Sequence, residues 1–347
     1  MSRTGAGRPR RPRRDRHYSL KTPEQRPQRI MMNTPEEITP ALEGFLPLDK
    51  PEGPSSHDVV ARARRILRQR RVGHAGTLDP FATGLLILCL GPATRLAEYL
   101  QHGEKSYRFT LRLGVTTNTF DRTGTVTTPP GQRPPEDVTR EEFEALLPRF
   151  TGDIMQMPPI FSALKKDGRR LYEYARAGEE IQIAPRPVQI MSLSLLSWTP
   201  PLGEFEARVG GGTYIRSLGR DLGEALGTGA CVETLRRTGT CGISLDKAVT
   251  LTALEEDPAC AGTALLTPVQ AFPHWIRAKA EGDALKRLLN GNAVSPADLE
   301  MSAPPDGANP ILVLNAEGAT VALGRHEPDP AGSGSGRIRP FKVLVNG

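Results

Sequence analysis

Cysteine is scarce in this chain of 347 residues: Cys89, Cys231, Cys241 and Cys260 stand apart, with no CxxC pair and no histidine at zinc-ligand spacing. That argues against a disulfide framework and against a structural metal. Long apolar runs are missing too. The longest candidate, residues 85–90, is strand-sized, far below the ~20 residues a membrane helix needs. The first residues carry no apolar segment that could serve as a secretory signal, so the expected location is cytoplasmic. There is no P-loop, no metal-ligand cluster and no internal repeat, which leaves nucleotide hydrolysis, metal catalysis and solenoid architectures without support.

Acid is nearly absent from the first thirty residues, where ten Lys/Arg face only Asp15 and Glu24. That segment alone carries +8 of a net +6, leaving residues 31–347 at −2. The basic balance therefore belongs to a tail, residues 1–38, too poor in apolar side chains to fold by itself. It reads as a disordered arm for nucleic acid, as an organelle transit segment, or as an extension ahead of a start at Met31 or Met32. Within the body the informative cluster is local: Arg62, Arg64, Arg65, Arg68, Arg70 and Arg71 crowd ten residues with no acid among them. The body itself, at 38% hydrophobic and 24% charged over the chain, is ordinary for a globular protein and long enough for two domains.

Periodicity sketches the elements. Residues 44–50 read as a short strand, and Ser55 or Ser56 can cap a helix whose Val59, Val60, Ala63, Ile66 and Leu67 recur at helical spacing. A polar loop over 73–83 precedes a buried-type strand over 84–90, and 92–102 reads as a helix. The cleanest strand is 105–114, with Tyr107, Phe109, Leu111 and Leu113 on one face and Arg108, Thr110 and Arg112 on the other. Thr139 opens a capping box for a helix running toward Phe150. Residues 153–180 mix prolines, tyrosines and basic residues without a period, as an exposed insertion would. A strand follows at 204–209. Thr213 can then cap a helix with Ile215, Leu218, Leu222 and Leu226 on its apolar face, ended by Gly227. Beyond residue 268 a helix over 283–289 precedes β-rich runs at 311–315, 319–323 and 337–345, which suggests a small β-barrel.

Asp79-Pro80 taken alone is a turn signal. Its surroundings are not those of an ordinary turn. Residues 71–84 pack glycines, a histidine and a carboxylate between a basic helix and a buried strand, at the kind of strand edge where sites are displayed. Gly73-His74-Ala75-Gly76-Thr77-Leu78-Asp79-Pro80-Phe81-Ala82-Thr83-Gly84 resembles the signature loop of the TruB family of tRNA pseudouridine(55) synthases. The resemblance continues in order through Leu48-Asp49-Lys50-Pro51, Lys105-Ser106-Tyr107-Arg108, Phe161-Ser162-Ala163-Leu164-Lys165, Gly212-Thr213-Tyr214-Ile215-Arg216 and Leu235-Arg236-Arg237, covering about residues 44–245. Its departures are the basic tail and Phe161, where a tyrosine is common.

The resemblance implies an α+β pseudouridine synthase fold: a mixed central sheet with flanking helices over 39–267, an RNA-gripping insertion near 153–180, and a small PUA-like RNA-binding barrel over 268–347. It implies isomerisation of a T-loop uridine in tRNA with no cofactor and no metal. In that scheme Asp79 is the catalytic carboxylate, Arg216 the cation that holds it, and Tyr107 the ring that stacks on uracil and assists proton loss from C5. Tyr214 and Leu235 contact the base, His74 fills the space of a displaced base, and Lys165 with Lys166, Arg169 and Arg170 touches phosphate. The expected partner is the tRNA T-arm, with no membrane, no obligate protein partner, and a monomeric chain. A guide-RNA-dependent synthase is disfavoured by the short C-terminal part. A noncatalytic RNA chaperone on the same scaffold is disfavoured by the intact Asp79, Tyr107 and Arg216. Pattern alone would place Tyr107 in a strand core and Arg216 on a helix surface.

Overall fold

The computed structural model describes residues 41–162, 164–166, 168–179, 181–305, 307, 309–329 and 336–344; the basic tail over 1–38 lies outside them. From residue 44 the chain lays down β1 (Gly44–Lys50), helix α1 (Ser56–Ile66), the short β2 (Val72–His74) and β3 (Thr83–Leu90). After α2 (Ala97–His102) come β4 (Lys105–Leu113), α3 (Arg140–Leu146) and β5 (Gly152–Gln156). A hairpin of β6 (Lys165–Lys166) and β7 (Arg169–Arg170) leads into α4 (Leu171–Arg176). Then follow β8 (Arg186–Thr199), β9 (Leu202–Val209), α5 (Ile215–Ala225), β10 (Ala230–Thr240), β11 (Ile243–Ser244) and β12 (Val249–Thr250).

Ten of these strands form one mixed sheet in the order β12-β1-β3-β10-β4-β9-β8-β5, with β2 paired on β3 and β11 on β10. The β1–β12 and β3–β10 pairs are parallel. The unbroken apolar run of β3 follows from its position. Leu86, Leu88 and Leu90 face a core with Leu46, Phe109 and Val232, while Leu85, Ile87 and Cys89 face another with Phe45, Leu96 and Phe272. A strand covered on both faces needs no polar side. β4 alternates as expected, with Tyr107, Phe109, Leu111 and Leu113 all buried in the first core.

A second sheet of β13 (Arg277–Lys279), β14 (Glu300–Met301), β15 (Ile311–Leu314), β16 (Thr320–Glu327) and β17 (Arg337–Val343) runs in the order β14-β13-β15-β16-β17. Leu312 and Leu323 of this sheet share the core that holds Leu85 and Ile87 of β3. No ladder joins its outer strands among the described residues. Among those residues no helix is long and apolar enough to cross a membrane.

Several local expectations need correction. The loop over 73–83 begins as strand, because Gly73 and His74 pair with Cys89 and Leu88 of β3. The helix over 92–102 divides into a 3-10 turn, Gly91–Leu96, and α2. Thr139 caps α3 by accepting from Glu142 N, but the Glu142 carboxylate goes to Arg133 and leaves the box half made. Thr213 does not cap α5. Tyr214 is the N-cap residue, and Gln156 of β5 binds both its backbone groups, at 2.9 Å (Tyr214 N to Oε1) and 3.1 Å (Nε2 to Tyr214 O). The sequence reading also missed β8, where Pro187 and a serine-rich run mask the alternation.

One glycine is required by a close approach. Gly84 opens β3 at φ +98°, opposite Arg237 of β10, and a Cβ there would lie 2.3 Å from the Arg237 carbonyl oxygen and 2.8 Å from its nitrogen. Gly84→Ala is expected to destabilise the fold by about 3 kcal/mol, from left-handed strain plus backbone overlap. Thermal melting checks this, and an unchanged Tm would show that the parallel β3–β10 junction yields easily.

Candidate active site

The loop between β2 and β3 carries Asp79, and its shape is fixed before any ligand arrives. Asp79 and Pro80 occupy the first two positions of a turn closed by Ala82 N donating to Asp79 O at 3.1 Å, the placement that suits a short acid followed by a φ-locked proline. Three polar side chains, all fully or nearly fully buried, hold this loop from three different elements. Ser56 of α1 accepts from Leu78 N at 2.9 Å and donates to Leu78 O at 3.1 Å. Lys50, at the end of β1, donates to Ala82 O at 2.7 Å, Pro51 O at 2.8 Å and Pro80 O at 3.2 Å. Arg237 of β10 donates to Leu85 O at 2.7 Å, Gly76 O at 3.1 Å and Thr77 O at 3.4 Å. Burial pulls the Lys50 ammonium down to about 8, opposed by the charges of Asp79 and Glu52.

Arg216, in the first turn of α5, reaches the Asp79 carboxylate with two nitrogens. Nη2 donates to Oδ1 at 3.1 Å, and Nε lies 2.9 Å from Oδ2. The remaining donors go to Thr119 O at 2.9 Å and Phe161 O at 3.0 Å, with the Asp121 carboxylate 3.6 Å from Nη1. Asp121 is itself buried and accepts from Thr119 Oγ1 at 2.9 Å, Thr123 N at 2.9 Å and Thr123 Oγ1 at 2.6 Å. A cation at a helix N-terminus opposes the helix dipole; two carboxylates compensate for it here. Phe120, between the two Arg216 anchors, adopts φ 63°, backbone strain of the kind that gathers at sites.

These surroundings raise the pKa of Asp79. Burial is the largest cause, and Asp121 adds to it; Arg216, through charge and hydrogen bond, and Lys50 pull the other way. The carboxylate lies deep among protein atoms, yet 35% of the side chain stays accessible through an open cavity. Ionisation of Asp79 is therefore expected to set an acid limb in any activity that needs the carboxylate, above the ~3.9 of a free aspartate. Asp121→Asn removes a repulsive charge, so the limb should move to lower pH, while the plateau falls as Arg216 loses an anchor. The pH profile of the single-turnover rate measures both, and a limb that stays put would show that Asp121 does not act on Asp79.

The cavity, about 470 Å³, is lined by Asp79, Tyr107, Tyr214, Arg216 and Leu235 together with Lys105, Ser162, Arg186 and Arg237, a size suited to a small ligand. Five of the expected site residues thus meet at one place. Tyr107 is buried in its strand and also lines the cavity, and its hydroxyl has no hydrogen-bond partner among the described residues. Leu235 stands opposite Phe109 on β10. One expected residue is not brought in. His74 sits at the end of β2 outside the lining, its ring edge-on to His57 with centroids 5.4 Å apart. Burial, with the nearby charges of His57 and Arg237, pulls it down to about 4, so it is neutral at physiological pH. The side chain of Lys165 lies outside the described residues, as does that of Arg170. Nearby, Lys166 Nζ donates to Gln182 O and Arg169 pairs with Glu179, both at 2.8 Å or less.

The sequence reading gave Lys50, Asp121, Arg186 and Arg237 no role and offered Ser56 only as a candidate helix cap. Lys50, Ser56 and Arg237 stand in or beside the quoted motifs, which was signal enough to single them out. Asp121 and Arg186 had none, because their place depends on pairing between distant segments. Among the described residues no group of three or more His, Cys, Asp or Glu is placed to hold a metal ion. What the arrangement provides is one preorganised carboxylate in a partly apolar cavity that it shares with two aromatic rings. Such a group can act as a nucleophile or as a base.

Comparison with known proteins finds matches along most of the chain. Residues 64–215 match the TruB family pseudouridylate synthase N-terminal domain, and residues 216–270 match the tRNA pseudouridylate synthase B C-terminal domain. The chain is 40% identical over 312 residues to the tRNA pseudouridine synthase B of Burkholderia mallei (strain NCTC 10247), covering 88% of this chain and 98% of that protein. It is 44% identical over 308 residues to that of Burkholderia lata, covering 88% and 91%. Among solved structures, a Cbf5-Nop10-Gar1 complex contains a chain that superposes with TM-score 0.66 at 26% identity, over 87% of this chain and 85% of that one. A chain of the archaeal box H/ACA sRNP Nop10-Cbf5 complex superposes with TM-score 0.64 at 24% identity, over 87% and 86%, a likeness of fold alone.

Proposed function

Because the chain belongs to the TruB family of pseudouridylate synthases, we propose that its Asp79 cavity isomerises the T-loop uridine of tRNA. The protein is a pseudouridine synthase acting on tRNA, and its fold is the α+β fold of that family. The position of the uridine and the residue roles are our reading, and the observation that carries it is the two-point contact of Arg216 with Asp79 at the wall of a cavity shared with Tyr107.

The reaction breaks the bond between uracil N1 and ribose C1′, turns the base, and joins C5 to C1′; C5 loses its proton and N1 takes one up, so the product is an isomer of the substrate. Asp79 acts as the carboxylate, as nucleophile or as base, and Arg216 keeps it ionised against desolvation. Tyr107 supplies the stacking face and a hydroxyl free to take part in removing the C5 proton. Tyr214 and Leu235 flank the base. The uridine must leave its stack to enter, a cost of a few kcal/mol that such contacts offset. In this reading residues 39–267 form the catalytic part and 268–347 an accessory RNA-binding module, and the protein works as a cytoplasmic monomer. The test is incubation with an unmodified tRNA transcript followed by mapping of pseudouridine. One modified uridine in the T-loop is the expected result; modification elsewhere, or none with tRNA still bound, would overturn the reading.

A further inference from the structure

We propose that Arg186 is a phosphate anchor, binding an RNA phosphodiester beside the uridine that enters the Asp79 cavity. This rests on the reading of that cavity as the uridine site. Arg186 opens β8 opposite Gln156 of β5, and it lines the cavity while staying partly exposed. The guanidinium carbon lies 5.3 Å from the centroid of the Tyr214 ring, and Nη2 donates to Gly212 O at 3.0 Å.

Four cations line the cavity, and three have most of their donors committed. Arg216 is spent on Asp79 and on two carbonyls. Arg237 is 1% exposed and donates to three carbonyls. Lys105 is buried and donates to Gln101 O and Gly103 O, both at 2.7 Å. Arg186 is half-buried, and among the described residues no carboxylate pairs with it. One bond to Gly212 O leaves most of its planar fork free, and stacking on an aromatic face leaves the edge of the guanidinium open. An uncompensated positive charge with its donors held in place is what a phosphate oxygen requires.

The chemistry of the substrate places that phosphate. A uridine in a strand carries a phosphodiester on each side of its ribose. When the base enters a cavity these groups stay at the rim, within reach of a cation fixed there. The competing role for Arg186 is to fasten the turn around Gly212 (φ +88°). A fastener and a phosphate anchor respond differently to salt, because only the anchor releases a counterion when RNA binds.

Arg186→Gln and Arg186→Lys, with the intact chain as reference, separate the two. Each protein is titrated with an unmodified tRNA transcript by filter binding over a range of salt, alongside single-turnover pseudouridine formation and thermal melting. The glutamine variant is expected to bind about tenfold more weakly, with the slope of log K against log salt reduced in magnitude by roughly 0.7–0.9. The lysine variant should keep the slope, since it keeps the charge. A glutamine variant with the wild-type slope overturns the proposal whatever its affinity. A glutamine variant that cannot fold does so too, because the residue is then needed by the free protein. Absence of pseudouridine from the wild-type reaction would instead remove the reading of the cavity on which the proposal stands.

Discussion

Asp79→Asn is expected to lower single-turnover pseudouridine formation by roughly 10³-fold or more, the scale on which losing a catalytic nucleophile or base acts, while leaving the fold and tRNA affinity close to normal. Asparagine has nearly the shape of aspartate, so its oxygen can still accept from Arg216 Nη2, the contact seen at 3.1 Å. The direction of the pKa shift predicts the effect on stability. The folded protein raises the pKa of Asp79, so it holds the neutral carboxyl better than the ionised one. A raised folded pKa contributes stability below the unfolded value, and that contribution is lost as pH rises through the folded one. At neutral pH the wild-type chain therefore bears the cost of a desolvated charge that asparagine does not carry. The variant should melt at or slightly above the wild-type temperature near pH 7, and the difference should vanish in acid. Arg216 keeps Asp121 and two carbonyls as partners, so no buried cation is left alone. Wild-type rates in this variant would remove Asp79 from the chemistry. A large fall in Tm with the rate loss would mean instead that the carboxylate's chief work is to hold Arg216.

How much of this was legible in the sequence follows the range of the interactions involved. The strand of Tyr107, Phe109, Leu111 and Leu113 was legible because alternation is a local pattern. The start of α1 was legible to within one residue because a serine ahead of a helical apolar pattern is a local signal; of the two candidates Ser55 is the N-cap, in a capping box with Asp58 that only the structure shows. The Asp79–Arg216 pair was not legible from pattern at all: 137 positions separate the partners, and the helix N-terminus is a poor place for an arginine. Only the family resemblance joined them. Asp121 shows the limit of that route. It sits 3.6 Å from Arg216 as the second carboxylate, yet it falls in none of the motifs that carry the resemblance. β13 and β14 escaped because strands of three and two residues are too short to show a period. Thr213 misled because a hydroxyl ahead of an apolar helix is a cap signal, whereas the backbone of Tyr214 had its partner in Gln156, 58 residues away.

Tyr107→Phe should separate the two descriptions that both fit this residue, a core side chain of β4 and an active-site side chain. The structure joins them: the ring is buried among the residues of the first core and also lines the cavity with Asp79. Only the hydroxyl distinguishes the roles, and it has no partner among the described residues. Removing it leaves no buried group unsatisfied, so the variant should be as stable as the wild type. It should also bind tRNA normally and stack on the uracil, because stacking uses the ring face alone. If the hydroxyl takes part in removing the C5 proton, single-turnover rates should fall by ~10²–10⁴-fold, as for loss of a general acid–base group. Tyr107→Leu should add weaker productive binding to the same rate loss. Filter binding beside single-turnover kinetics with saturating enzyme makes the distinction, since affinity reports the ring and rate reports the oxygen. A phenylalanine variant that turns over at the wild-type rate would leave Tyr107 as a stacking platform and return the C5 proton to Asp79 or to water.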